Sequence, residues 1–172
     1  MSIARIARLA RLALVATIAV ASAGTTTAFA QAKDAARDKR IADFAAAFAA
    51  AFNKGDAKGV AAMYSVNAIR VGQDTKEIGR AAIEKALTVQ LAGPFKGAKM
   101  TIAIGTVQAL SADVEVAEGT YTLTGMKGPD GKPLPAVTAS FLNTHVIKGG
   151  AMLLSSNAAI PPAPPTPAAA KK

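Results

Sequence analysis

The sequence predicts an α+β domain in which three helices precede a curved, mainly antiparallel sheet of four strands. Two observations carry this prediction. Apolar residues recur on a helical period up to residue 92, then alternate with polar ones after Pro94. A turn-dense stretch, Gly125 to Pro133, separates two long extended runs and contains Asp130-Gly131, as a hairpin with a long tip would. Runs of helices followed by runs of strands place the helices on one face of the sheet.

The first helix is expected from Asp34 to Asn53. Ile41, Phe44, Phe48 and Phe52 form one stripe at i, i+3, i+7 and i+11, with alanines between them. Lys54-Gly55 supplies the stop, and Asp56 is a candidate N-cap for a short second helix carrying Val60, Met63 and Tyr64. Extended character follows over 68–71, then a polar turn from Gly72 to Lys76. The third helix covers 79–92, with Ile83, Leu87 and Leu91 on one face and Gly93-Pro94 ending it. The four strands are expected at 100–108, 114–125, 137–148 and 151–157, the last pair joined through Gly149-Gly150.

Composition removes several function classes. The chain has 172 residues, which suits one domain, and 51% of them are hydrophobic. It has no cysteine, which excludes disulfides, thiolate metal sites and cysteine nucleophiles. A single histidine, His145, excludes zinc sites built from several imidazoles, so no metal and no cofactor is expected. There is no phosphate loop, since the glycines of 125–131 connect strands and do not open a helix.

The termini read as separate from the domain. Residues 1–30 carry Arg5, Arg8 and Arg11 ahead of the apolar run Leu12 to Ala23, and the first acid is Asp34. A basic start, a short apolar stretch and Ala28-Phe29-Ala30 before Gln31 form a secretory signal peptide, with cleavage after Ala23 as the alternative. The apolar run is short against the ~20 residues that span a bilayer, so no transmembrane segment is expected after cleavage. The mature protein is expected to be periplasmic or secreted. Cleavage lowers the formal charge from +9 to +6, because three arginines and no acids are lost. The remaining basic residues are scattered and not interleaved with aromatics, so no nucleic-acid partner is expected. Residues 31–160 hold the domain. Residues 161–172 hold five prolines within seven positions and are expected to form a solvated tail, or a spacer that docks on a partner.

Several local features coincide with a known pattern. They are Phe52-Asn53-Lys54-Gly55-Asp56 closing the first helix, Ala62-Met63-Tyr64, Ile78-Gly79-Arg80-Ala81-Ala82-Ile83 opening the third, and Lys148-Gly149-Gly150 between the last strands. Over roughly 38–160 this resembles the SnoaL-like and SgcJ/EcaC-like proteins of the nuclear-transport-factor-2-like superfamily. The resemblance implies an α+β cone, a bent sheet wrapped by three helices over a pocket, and homodimers through the outer sheet face. It also implies relatives as diverse as polyketide cyclases, ketosteroid isomerase and dehydratases, so it bears on fold more than on reaction. Met152 stands where relatives usually carry Trp, and Val66-Asn67 replaces an acidic pair.

His145 leads the candidates because imidazole titrates nearest neutrality. Alternation places Ala139, Phe141, Asn143 and His145 on one face of their strand, a mixed apolar and polar surface of the kind that lines pockets. The competing reading of His145 is a structural histidine at a strand end. Asn157 and Asn143 could orient a carbonyl or hydroxyl, while Tyr64 and Tyr121 could donate hydrogen bonds or simply pack. Glu115 shares a face with Ala117 and Tyr121 and would serve as a general base if buried; solvent exposure is the ordinary expectation for such an acid. Arg80, at a helix start, is read as structural.

Three functions follow, in order of preference. The first is an exported binding protein taking a small, mostly apolar or carbonyl-containing ligand through Tyr64, Tyr121, Phe141, Asn143, His145 and Asn157. The second is an isomerase, cyclase or dehydratase moving protons in the same pocket, with His145 and Glu115 as weak catalytic candidates. The third is a dimeric interaction module of the envelope.

Overall fold

A computed structural model describes residues 34–160; the signal peptide and the Pro-rich tail expected from the sequence lie outside them. The chain runs α1 (Ala35–Asn53), α2 (Ala57–Ala62), β1 (Tyr64–Val71), β2 (Lys76–Ile78), α3 (Arg80–Ala92), β3 (Lys99–Ser111), β4 (Val114–Thr124), β5 (Val137–Lys148) and β6 (Ala151–Ile160). The six strands form one curved sheet in the order β2-β1-β6-β5-β4-β3.

Local chemistry fixes the helices. Asp34 caps α1 by accepting from the backbone amides of Ala36 and Arg37, each at 3.1 Å. Gly55, at φ +73°, turns the chain out of that helix in the left-handed region that glycine tolerates. Asn53 then clamps α1 to β3: its Oδ1 accepts from the Met100 amide at 2.6 Å and its Nδ2 donates to the Met100 carbonyl at 3.0 Å. Asp56 caps α2 through the Gly59 amide. Arg80, the first residue of α3, donates from Nε to the Tyr64 carbonyl at 2.7 Å, which ties the helix to the start of β1.

The sheet departs from the expected four strands. Tyr64 begins β1 instead of closing α2, because the helix ends at its C-cap, Met63. The extended stretch at 68–71 is the second half of that strand. The three residues of β2 pair with it antiparallel, Ile69 opposite Ile78. β1 pairs with β6 in parallel, so the sheet is mixed. β3 to β6 form the expected antiparallel meander, and β6 continues three residues beyond Asn157.

The core sits between the helices and the inner face of the sheet. Phe52, Val60, Ala61, Tyr64, Ala68, Ile83, Leu87, Leu91, Leu123 and Leu154 are buried together. On the outer face, Val71, Ala158 and Leu142 are direct cross-strand neighbours, and so are Ile78, Ile69 and Ser156. Leu142 and Ile78 are both well exposed there.

Gly119 on β4 makes room inside. It faces Phe141 across the ladder, and a Cβ added to it would overlap the Ala103 carbonyl and stand 2.8 Å from the Phe141 ring. Gly119→Ala should therefore lower stability by about 1–3 kcal/mol, the range for overpacking a filled site. A urea midpoint unchanged from wild type would contradict this.

Candidate functional site

The inner face of the sheet and the aromatic stripe of α1 enclose a cavity of about 380 Å³. α1 supplies Ile41, Phe44, Phe48 and Phe52; β3 supplies Met100, Ile102 and Ile104; Leu87 comes from α3. Each reaches the cavity for a periodic reason. The helix repeats its aromatics every three to four residues, and the strands send alternate residues inward.

All six residues nominated as ligand contacts line this cavity: Tyr64 from β1, Tyr121 from β4, Phe141, Asn143 and His145 from β5, and Asn157 from β6. Three of them form a hydrogen-bonded row across neighbouring strands. The Tyr64 hydroxyl lies 3.4 Å from Asn157 Oδ1, and Asn157 Nδ2 donates to Asn143 Oδ1 at 2.7 Å. Burial pushes the Tyr64 phenol up to about 12, opposed by the Arg70 guanidinium, so its hydroxyl keeps its proton as a neutral donor. Burial also raises the half-buried Tyr121.

His145 stands against α1, its ring edge-on to Phe44 with centroids 5.1 Å apart. It is 2% exposed, and burial pushes its imidazole down to about 4. The ring is therefore neutral near pH 7. Its Nδ1 is buried without a hydrogen-bond partner.

Glu115 is buried rather than exposed, at 2%, and it does not line the cavity. The reason is Arg40 on α1, whose Nη2 donates to Glu115 Oε1 in an ion pair. Glu115 lies directly across the ladder from His145, so the ion pair is a neighbour of the imidazole.

The structure adds Arg70 and Gln90, which were not singled out from the sequence. Arg70 Nη2 donates to Gln90 Oε1 at 2.9 Å, and both residues line the cavity. Nη1 lies 3.4 Å from Glu77 Oε2. The signal was present: Ala68 is fully buried, so alternation carries Arg70 to the same side.

No family profile and no curated protein matches the sequence. Solved structures do match the fold. A Nostoc punctiforme domain of unknown function with a cystatin-like fold is 15% identical, with a TM-score of 0.65 over 75% of this chain and 79% of its own. An NTF-2-like protein of unknown function from Shewanella oneidensis is 13% identical, with a TM-score of 0.60 over 72% and 98%. A Novosphingobium aromaticivorans protein assigned provisionally as a scytalone dehydratase is 13% identical, with a TM-score of 0.64 over 73% and 83%. The described residues thus have the cystatin-like, NTF2-like α+β fold, in which a curved mixed sheet and a few helices enclose a pocket.

Proposed function

We propose that the chain is an exported small-molecule-binding protein, of the SnoaL-like group within the NTF2-like fold, that holds a small and mostly apolar ligand in the cavity. The observation that carries this reading is the cavity itself: mainly apolar walls from the helices and the sheet, with a few hydrogen-bonding groups, among them the row Tyr64, Asn157 and Asn143 and the pair Arg70 and Gln90. Sites with that balance bind by burying an apolar body and orient it with a few polar contacts. Export is supported by the Arg-rich, apolar, Ala-Phe-Ala pattern of residues 1–30.

Proton-transfer catalysis in the same cavity has less support. His145 is a weak base at a value of about 4, and Glu115 is committed to Arg40. Asp74, the one acid among the described lining residues, sits on the exposed turn after β1. The apolar rows on the outer sheet face support a homodimer through that face.

Native mass spectrometry on protein purified from its own envelope fraction tests the reading. The expected spectrum shows a processed dimer carrying a bound small-molecule mass that is lost on mild activation. A protein that is empty, and whose melting temperature no apolar probe raises at concentrations of about 100 times a micromolar dissociation constant, would sink the binding function.

A further inference from the structure

Among the described polar residues of the cavity, Arg70 carries the one positive charge. The Arg70 side chain is 17% exposed; Nη2 donates to Gln90, and the guanidinium also hydrogen-bonds the Tyr64 hydroxyl. Nη1 is buried and lies within ion-pair reach of Glu77 Oε2, but neither atom completes a hydrogen bond. Glu77 is on β2, outside the cavity lining, so it stands behind the guanidinium and balances its charge from the far side. Tyr64 and Tyr121 line the same cavity, and burial keeps their hydroxyls protonated although the nearby Arg70 charge favours the ionised form. Asp74 is on the exposed turn, where water screens it.

A guanidinium presents five donors in a planar fork, and its natural complement is a planar acceptor with two oxygens. A neutral carbonyl would occupy one donor and leave the rest of the fork desolvated. A carboxylate can take two parallel bonds and one more from the Tyr121 hydroxyl. His145, also on the cavity wall, is neutral and packed edge-on to Phe44, a surface suited to an apolar body.

We propose that Arg70, with Tyr121, forms a head-group site for the carboxylate of an apolar monocarboxylic acid whose body fills the cavity, Tyr64 buttressing the guanidinium. This rests on the binding function proposed above and narrows its ligand class. Arg70 acts as the anchor and Gln90 and Glu77 fix the plane of its fork.

The test compares 4-phenylbutyrate with 4-phenylbutanamide by isothermal titration calorimetry on the full processed protein at pH 7.5. The two probes share a body and differ only in the head group. The acid should bind about tenfold or more tightly than the amide, the gain expected of a charge-assisted, bidentate contact. Removing Arg70 alone leaves Glu77 buried without its partner and can prevent folding, so the informative variant is Arg70→Gln combined with Glu77→Gln. It should lose the preference for the acid and still bind the amide. Arg70→Lys should keep only part of the preference, because the fork is gone.

Equal or tighter binding of the amide by the wild-type protein would overturn the head-group site and leave the cavity-binding function standing. A double variant that keeps the acid preference would also overturn it. If neither probe binds and no mass co-purifies, the head-group site and the binding function fall together.

Discussion

Arg40→Ala should destabilise the protein by about 3 kcal/mol or more, and more than Glu115→Gln. The asymmetry comes from where the two partners lie. The Glu115 side chain is 3% exposed and the Arg40 side chain 36%. Removing Arg40 strands a carboxylate inside the domain, and an uncompensated buried charge is the costly product of a broken ion pair, at about 3–5 kcal/mol. Glu115→Gln removes the charge from the buried side and keeps the shape. Arg40 is then free to turn toward water, so that variant should cost only about 1 kcal/mol. Urea denaturation at pH 7 on both variants decides the matter, with Arg40→Lys as a control that keeps the charge. Equal costs, or a larger cost for Glu115→Gln, would mean that the pair contributes nothing beyond packing.

Acidification should weaken the fold between about pH 6.5 and pH 4, and His145 should be the cause. Its folded value, about 4, lies below the ordinary histidine value of 6.5. In that interval the unfolded chain binds a proton that the folded chain refuses. Its full contribution to stability is therefore present above pH 6.5 and is lost as the pH falls to 4. The loss is about 3 kcal/mol, at most about 1.4 kcal/mol per pH unit. Glu115, opposite on β4, would ordinarily hold a proton on the imidazole, but Arg40 from α1 already neutralises it. His145→Phe, which keeps the ring against Phe44, should flatten the pH dependence of stability over this interval. Equal slopes for wild type and variant would assign the acid sensitivity elsewhere.

Much of the cavity lining was legible from periodicity alone. The stripe Ile41, Phe44, Phe48 and Phe52 announces a helix with an apolar face, and alternation along β5 sends Phe141, Asn143 and His145 to one side. What escaped depends on partners distant in the chain. Glu115 reads as an exposed acid because its partner, Arg40, is 75 residues away. Arg70 reads as a solvated charge until β6 and α3 close around it. β2 has three residues, too few to show a period, and β1 follows α2 with one cap residue between them, so its start merges with the helix. The parallel join of β1 to β6 leaves no local trace.

That join sets an order of assembly. The meander from β3 to β6 pairs sequential strands through connections of two, twelve and two residues, whereas the Tyr64–Asn157 hydrogen bond spans 93 residues. Contacts between positions so far apart in sequence form late, after the entropy of closing the loop has been met. The wall that carries Tyr64 and Arg70 is thus expected to join after the meander, and the meander alone has no cavity. A molecule that touched both walls would act as a clasp on the finished chain, holding the two segments together and slowing unfolding.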